Sequence, residues 1–395
     1  MKIVLTGGGS GGHFYPLMAV AERIRAIARE EHLLEPNLYY LGPDEYDKDA
    51  LFEQNITYQH VNAGKMREYR SIKNYFDFFK NAIGIMKALV KLFFIFPDVV
   101  FSKGGYASGP VLFAARVLGI PVIIHESDSV PSKGGAWAAK FAKRIAISYP
   151  EAAEAFGKLA AKAGGKIALT GNPVRKDLLT PASEGAKEFL QLNEDLPVIV
   201  VLGGSQGAQR INETLIEALP ELIEKYYVIH QTGKALFDIT KGTADIILTG
   251  KEHTDRYKPF PFLNLLAMRM VAGAATLIIS RAGSGNIFEI AAWGKPSFIV
   301  PIPEDVSRDQ RSNAFAYART GAALVIEQAN LTPHLIVSEI DRLIENPANA
   351  RRWQLQQKPL PVPTPPTRSR ARLLGWHWSM RTKIKTWITS SYGQY

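Results

Sequence analysis

Cysteine is absent from all 395 residues, which excludes disulfides, thiolate nucleophiles and cysteine-bound metals and accords with a reducing compartment. Also lacking is an uninterrupted apolar run that could span a bilayer, since the most apolar stretch is broken by Lys80, Lys87 and Lys91. No basic stripe interleaved with stacking aromatics runs through the body, so nucleic acid is not an expected partner. The N-terminus reads as a strand from residue 2, without a charged stub, apolar run and cleavage site, so no signal peptide is expected and the cytoplasm is the expected location. Acidic residues are missing from 355–395, where seven Lys and Arg carry most of the formal charge of +10; without them residues 1–354 hold only +3.

What is present points to two α/β halves. Lys2-Ile3-Val4-Leu5-Thr6 runs into Gly7-Gly8-Gly9-Ser10-Gly11-Gly12-His13, and the apolar run 198–202 leads into Gly203-Gly204-Ser205-Gln206-Gly207. A buried strand ending in glycines turns tightly and brings bare backbone N–H groups near a ligand, and the helix that follows offers its positive end to phosphate. Two such openings in a chain too long for one core imply two similar domains around a cleft.

Strands and helices alternate throughout. Apolar strand positions are 3–5, 38–41, 99–101, 122–124, 145–147 and 167–169, then 198–202, 227–230, 246–248, 277–279, 297–300 and 323–326. Helices are expected between them, among them 16–29, with Pro16 in its first turn, and 108–118. The pattern predicts doubly wound parallel sheets with ligands at the carboxyl ends of the strands. The expected division is 1–175, 176–354 and a tail of 355–395. Five prolines within 358–366 forbid helix there, and the composition changes as abruptly as after a shift of reading frame.

Between Lys65 and Lys91 seven basic residues accompany two acidic ones, among Phe76, Phe78, Phe79, Ile83 and Met86. The ordinary reading is a helix packed on the sheet with solvated lysines outside. A helix lying on an anionic membrane surface fits the same composition, and both hold if one stripe faces the core and another the lipid.

Gly7-x-Gly9-x-x-Gly12 matches the dinucleotide fingerprint only formally, because the second strand ends in Gly42-Pro43 with Asp44 as a loose ribose partner. His13 at the helix mouth is poorly placed as core filler and well placed to meet a ligand hydroxyl. Arg281-Ala282-Gly283-Ser284-Gly285-Asn286 follows another apolar strand and opens a helix containing Glu289. Small residues there suit a diphosphate, and Glu289 can accept two hydrogen bonds from a ribose diol or be half of a salt bridge. Gln310 and Asn313 would sit at the same rim.

The chain resembles the MurG family, the N-acetylglucosaminyltransferases of peptidoglycan synthesis, over residues 1 to about 350. The resemblance rests on the first glycine run through His13, Lys103-Gly104-Gly105-Tyr106-Ala107-Ser108-Gly109-Pro110, His125-Glu126-Ser127-Asp128, Gly171-Asn172-Pro173-Val174-Arg175, Gly203 to Ala208, Arg281 to Ser284, and Asp309-Gln310 with Asn313-Ala314. It implies a GT-B fold, two Rossmann-like domains facing across a cleft, with no obligatory metal or other cofactor. It further implies transfer of N-acetylglucosamine, with inversion, from UDP-N-acetylglucosamine to the 4-hydroxyl of the muramoyl sugar of lipid I, at the cytoplasmic face of the membrane.

By the same resemblance Ser10, Gly11, Gly12, Asp128, Arg175, Ser205, Leu263, Ser284, Gly285, Asn286, Ile287, Phe288, Glu289 and Gln310 would hold the donor. His13 would take the proton, Gly104, Gly105 and Tyr106 within the 103–110 loop would bind the acceptor's diphosphate, and the basic apolar surface of the first domain would meet the membrane. Many relatives carry asparagine where Asp128 stands, and family members normally finish with a helix that the proline-rich tail cannot supply in its usual form. Alternatives on the same scaffold are another GT-B glycolipid glycosyltransferase and a UDP-N-acetylglucosamine 2-epimerase, which needs no lipid.

Overall fold

A computed structural model describes residues 1–65, 73–160, 166–204, 207–304 and 308–345, so Ser205 and the whole 355–395 tail lie outside the described residues. The chain forms two compact units that divide between Arg175 and Lys176.

The first unit contains strands β1 (Lys2–Thr6), β2 (Asn37–Gly42), β3 (Ile56–His60), β4 (Val99–Ser102), β5 (Val122–Glu126), β6 (Arg144–Ile147) and β7 (Lys166–Leu169). Its helices are α1 (Gly11–Glu30), α2 (Lys48–Glu53), α3 (Lys73–Ile95), α4 (Gly109–Val117), α5 (Lys133–Ala139) and α6 (Ala152–Ala160). The strands pair in parallel in the order β3-β2-β1-β4-β5-β6-β7. β1 is covered on both faces: Ile3 and Leu5 pack with Phe14 and Leu17 of α1, while Val4 packs with Val100, Val111 and Ile124 on the other side. Burial on both sides is what makes these strands read as continuous apolar runs.

The second unit opens with the short α7 (Ala186–Phe189), then holds β8 (Val198–Leu202), α8 (Gln209–Lys225), β9 (Tyr227–Gln231), α9 (Phe237–Ile247), β10 (Tyr257–Phe260) and α10 (Leu265–Ala274). It finishes with β11 (Leu277–Arg281), α11 (Ser284–Trp293), β12 (Ser297–Val300), α12 (Arg308–Ala318), β13 (Ala323–Val325) and α13 (Pro333–Ile344). Its sheet is again parallel, ordered β10-β9-β8-β11-β12-β13. Ile199, Val201, Leu277, Ile279 and Phe298 form its core with Leu215 and Leu219 of α8 and Ile336 and Ile340 of α13.

In each sheet the strand order reverses direction beside the first strand, between β1 and β4 and between β8 and β11. The carboxyl ends of strands at such a switch point form the usual ligand crevice of an open α/β sheet.

Three local expectations are corrected. Residues 246–248 are not a strand: Ile246 sits in the last turn of α9, and Thr240, Ala244 and Leu248 recur every fourth residue on its buried side. Pro16 lies inside α1 rather than in its first turn, because the helix already begins at Gly11. The edge strands β3 and β10 add to the expected set, one alternating with polar residues and the other carrying Lys258 and Pro259.

α3 is strongly one-sided. Ala88 and Leu92 are buried beneath it, whereas Phe76, Phe79, Met86, Phe93 and Phe94 are each more than half exposed, and Phe113 and Val117 of neighbouring α4 extend the apolar face. Among the described residues no helix is long and apolar enough to cross a membrane.

Candidate functional site

The first glycine turn and the turn after β4 are packed against each other. Gly9 has φ +89°, and a Cβ built on it would lie 2.2 Å from Cε1 of Tyr106. Gly105 has φ +78°, and a Cβ there would fall 2.6 Å from the Gly8 carbonyl and 3.1 Å from His13 Cδ2. Both positions have the positive φ that favours glycine, and at Gly105 a backbone carbonyl also leaves no room for a side chain. From β2, the buried Tyr40 hydroxyl donates to the Gly7 carbonyl at 2.7 Å and braces the first turn from below.

His13 stands in the first turn of α1, half-buried. Its Nδ1 lies 3.1 Å from the backbone carbonyl of Lys103. A carbonyl can only accept, so Nδ1 carries a proton, and in the neutral ring Nε2 holds the lone pair. Burial lowers the imidazole's pKa below its ordinary value and the Lys103 ammonium lowers it further, whereas Asp128 and the hydrogen bond to the Lys103 carbonyl raise it. The arrangement is that of a neutral base.

Asp128 comes from the loop after β5, which is held by Glu126. The Glu126 carboxylate accepts from Ser132 N and Ser132 Oγ, both at 3.0 Å, and from Ser127 N at 3.1 Å. Burial and the neighbouring Asp128 push the pKa of Glu126 above the usual carboxylate range. Arg175, at the end of the first unit, stacks its guanidinium 4.5 Å from the ring centre of Tyr15, whose hydroxyl donates to Asp47 at 3.2 Å. Ser10, Gly11, Gly12, His13, Gly104, Gly105, Tyr106 and Asp128 thus gather at the carboxyl ends of β1, β4 and β5.

Lys103 itself does not face that rim. Its side chain is 1% exposed, and its ammonium donates inward to Ser127 Oγ. Any contact of the 103–110 loop with a diphosphate falls to the backbone of Gly104 and Gly105 and to Tyr106, which is partly exposed. Lys103, Glu126 and Ser127 are the members of this cluster that sequence reasoning missed as side chains. The available signal was a lysine ending the apolar strand Val99-Val100-Phe101-Ser102, which demands a buried partner.

In the second unit the helices after the glycine turns are α8 and α11, with N-caps Ala208 and Gly283, and like α1 with Ser10 they have no side-chain cap. The first-turn N–H groups of a helix have no intrahelical acceptor, so an uncapped start is open to an anion. Asn286 donates to Ser280 Oγ at 3.1 Å, and Arg281 reaches toward the carbonyls of Val300 and Pro301 at 3.4 and 3.5 Å, tying the ends of β11 and β12 together. Gly285 and Glu289 lie half-buried on the same helix, Ser284 is buried, and Gln310 Oε1 accepts from Ile302 N at 3.4 Å.

Three donor-binding expectations are narrowed by burial. Ile287 and Phe288 have wholly buried side chains, and the Ile287 N–H is taken by the Gly283 carbonyl at 3.1 Å. Leu263 is 2% exposed, and its N–H donates to Gln231 Oε1 at 3.2 Å. Their side chains lie in the buried core of the second unit, and the N–H groups of Ile287 and Leu263 are already engaged.

Residues 3–147 match the glycosyltransferase family 28 N-terminal domain and residues 198–360 match the C-terminal domain of that family. The UDP-N-acetylglucosamine--N-acetylmuramyl-(pentapeptide) pyrophosphoryl-undecaprenol N-acetylglucosamine transferase of Treponema denticola is 35% identical over 346 residues, covering 85% of this chain and 86% of that protein. The chain belongs to the MurG group of glycosyltransferase family 28. A second relative in this group, from Bacillus thuringiensis and named as transferase 3 of the same activity, is 36% identical over 349 residues and covers 87% of this chain and 92% of its own length.

Among solved structures, MurG of Acinetobacter baumannii superposes with a TM-score of 0.63 at 25% identity, covering 90% of this chain and 94% of that one. The UDP-GlcNAc 2-epimerase from Neisseria meningitidis, bound to UDP-GlcNAc, reaches a TM-score of 0.64 at 14% identity, covering 92% and 96%. The fold is thus shared with epimerases, and the sequence is what assigns this chain to the MurG group; its two parallel-sheet domains are those of the GT-B class.

Proposed function

We propose that this chain transfers N-acetylglucosamine from UDP-N-acetylglucosamine to the 4-hydroxyl of the muramoyl sugar of lipid I, with inversion, to give lipid II. The observation that carries this reading is an imidazole at the mouth of α1 whose Nδ1 is engaged by the Lys103 carbonyl, in a chain whose two units both match family 28. A base alone would also suit an epimerase, which must remove the proton on C2, so the family match is what favours transfer to an acceptor hydroxyl.

Each step has a group suited to it. The acceptor hydroxyl must lose its proton as the new bond forms, positive charge develops on the sugar ring, and negative charge grows on departing UDP. His13 Nε2 takes the proton. The first-turn N–H groups of α11 stabilise the diphosphate, with the glycines that follow β8 close by in sequence to the start of α8. Glu289 accepts from the ribose, and Ser10, Gly11, Gly12, Asp128, Arg175, Ser205 and Gln310 complete donor binding, with Leu263, Ile287 and Phe288 as its packing. Gly104, Gly105 and Tyr106 receive the acceptor's diphosphate.

In this reading residues 1–175 form the acceptor and membrane domain and 176–354 the donor domain. The exposed aromatic face of α3, with Lys80, Lys87 and Lys91 along it, rests on the anionic cytoplasmic face of the membrane as a peripheral contact. Transfer of labelled N-acetylglucosamine tests the reading, with a lipid I analogue and another polyprenyl-diphosphate sugar offered as acceptors side by side. Label on the lipid I analogue alone is expected; label only on the other acceptor would reassign the enzyme to a different glycolipid.

A further inference from the structure

The chemistry above leaves the side chain of Lys103 without a task, although its placement is costly. An ammonium 1% exposed has lost its water, and burial brings its pKa down to about 8 against the opposing pull of Glu126 and Asp128. If its role were only to tie the β4 turn to the β5 loop, a neutral side chain would do so at lower cost, since buried ion pairs seldom outperform apolar packing. What distinguishes Lys103 is its neighbour: the same residue's carbonyl receives His13 Nδ1 at 3.1 Å.

We propose that Lys103 is a positioning residue for His13, its carbonyl fixing the Nδ1–H tautomer and its buried ammonium, tethered to Ser127, offsetting Asp128 so that Nε2 keeps its lone pair. The charged groups acting on His13 are Lys103 from the end of β4 and Asp128 from the loop after β5, with Glu126 behind Lys103. Were the ammonium removed, the Asp128 carboxylate would draw a proton onto the imidazole, and an imidazolium has no acceptor at Nε2. The cation therefore widens the pH range over which the base is usable. Asp128 can in turn contribute to the donor site without disabling the base beside it.

This inference rests on the transferase reading for its consequence, but its first test does not. The His13 ring resonances, assigned by their loss in His13→Gln, are titrated by NMR in the full chain and in Lys103→Met, Lys103→Gln and Lys103→Arg. Gln can still donate to Ser127, so agreement between the Met and Gln variants separates charge from packing. Expected is a rise in the His13 titration point in both uncharged variants and little change in Lys103→Arg.

In transfer assays the acid limb of kcat/KM should move to higher pH with it, so that the rate at a fixed pH on that limb falls about tenfold for every pH unit the limb moves. An unmoved titration point in a folded uncharged variant would overturn the inference. A wild-type chain that transfers nothing to the lipid I analogue would instead remove the transferase reading while the titration still decides the role of Lys103. Should both uncharged variants fail to fold, the wild-type chain decides: deprotonating Lys103 above about pH 8 should shift the His13 ring signals a second time, and their constancy would overturn the inference.

Discussion

The ring of Tyr106 occupies the space that a side chain at Gly9 would need, with Cε1 2.2 Å from the position of the missing Cβ. The contact joins the glycine turn after β1 to the turn after β4, so the mouth of α1 and the 103–110 loop form one packed unit. Gly105 makes the reciprocal contact, with the Gly8 carbonyl 2.6 Å from its missing Cβ.

The two glycines should differ in tolerance. In Gly9→Ala the obstacle is an aromatic ring that can swing outward, whereas in Gly105→Ala it is a backbone carbonyl that cannot. Overpacking in such settings costs about 1–3 kcal/mol. Urea unfolding should place Gly105→Ala at or above the top of that range and Gly9→Ala lower. Adding Tyr106→Ala to Gly9→Ala should recover part of the loss; a purely additive double variant would show that the ring is not the obstacle.

His13→Ala removes the base and leaves every residue of 176–354 unchanged. Turnover should fall by ~10²–10⁴-fold, the usual worth of a general base. Calorimetric affinity for UDP-N-acetylglucosamine should stay near the wild-type value. Full activity in the variant would eliminate His13 from proton transfer.

Lys103 carries a pH signature in stability. Its pKa is about 8 in the folded chain against an ordinary 10.5, so folding favours the uncharged amine. The stability this group contributes is fully present above pH 10.5 and is lost as pH falls through 8. Subtracting Lys103→Met unfolding free energies from wild-type ones should therefore give a difference that rises between these two pH values. A flat difference would mean that the ammonium is better solvated than its burial implies.

The exposed face of α3 makes a prediction about surfaces. Burying one large aromatic in an apolar phase is worth ~1.5–3 kcal/mol. Replacing Phe76 and Phe93 together by Ser should thus weaken binding to anionic vesicles at least tenfold in co-sedimentation, with donor affinity intact. Binding that ignores both the substitutions and added salt would locate membrane contact elsewhere.

Most strands were legible because a parallel strand buried on both faces reads as an apolar run, as in Val198 to Leu202. The exceptions share a cause. β3 and β10 are edge strands, where one side is open and residues such as Gln59, Lys258 and Pro259 are tolerated. Ile246 and Leu248 imitated a strand because three residues cannot separate periods of two and 3.6. At the site, the glycine turns and His13 were readable as a local pattern. The inward course of Lys103 and the brace made by Glu126 were not, since they depend on β4 and β5 lying side by side. Nor does a motif string separate Ile287 and Phe288, buried in the core, from Asn286 and Glu289 on the same helix.

The structure of the product decides most directly between transfer and epimerisation. The full chain is incubated with UDP-N-acetylglucosamine, with and without a lipid I analogue, and the products are read by NMR. UDP release is expected only with acceptor, in step with a β-linked N-acetylglucosamine on the muramoyl 4-oxygen. UDP-N-acetylmannosamine formed without acceptor, and no disaccharide with it, would rule out the transferase and assign the chain to epimerisation.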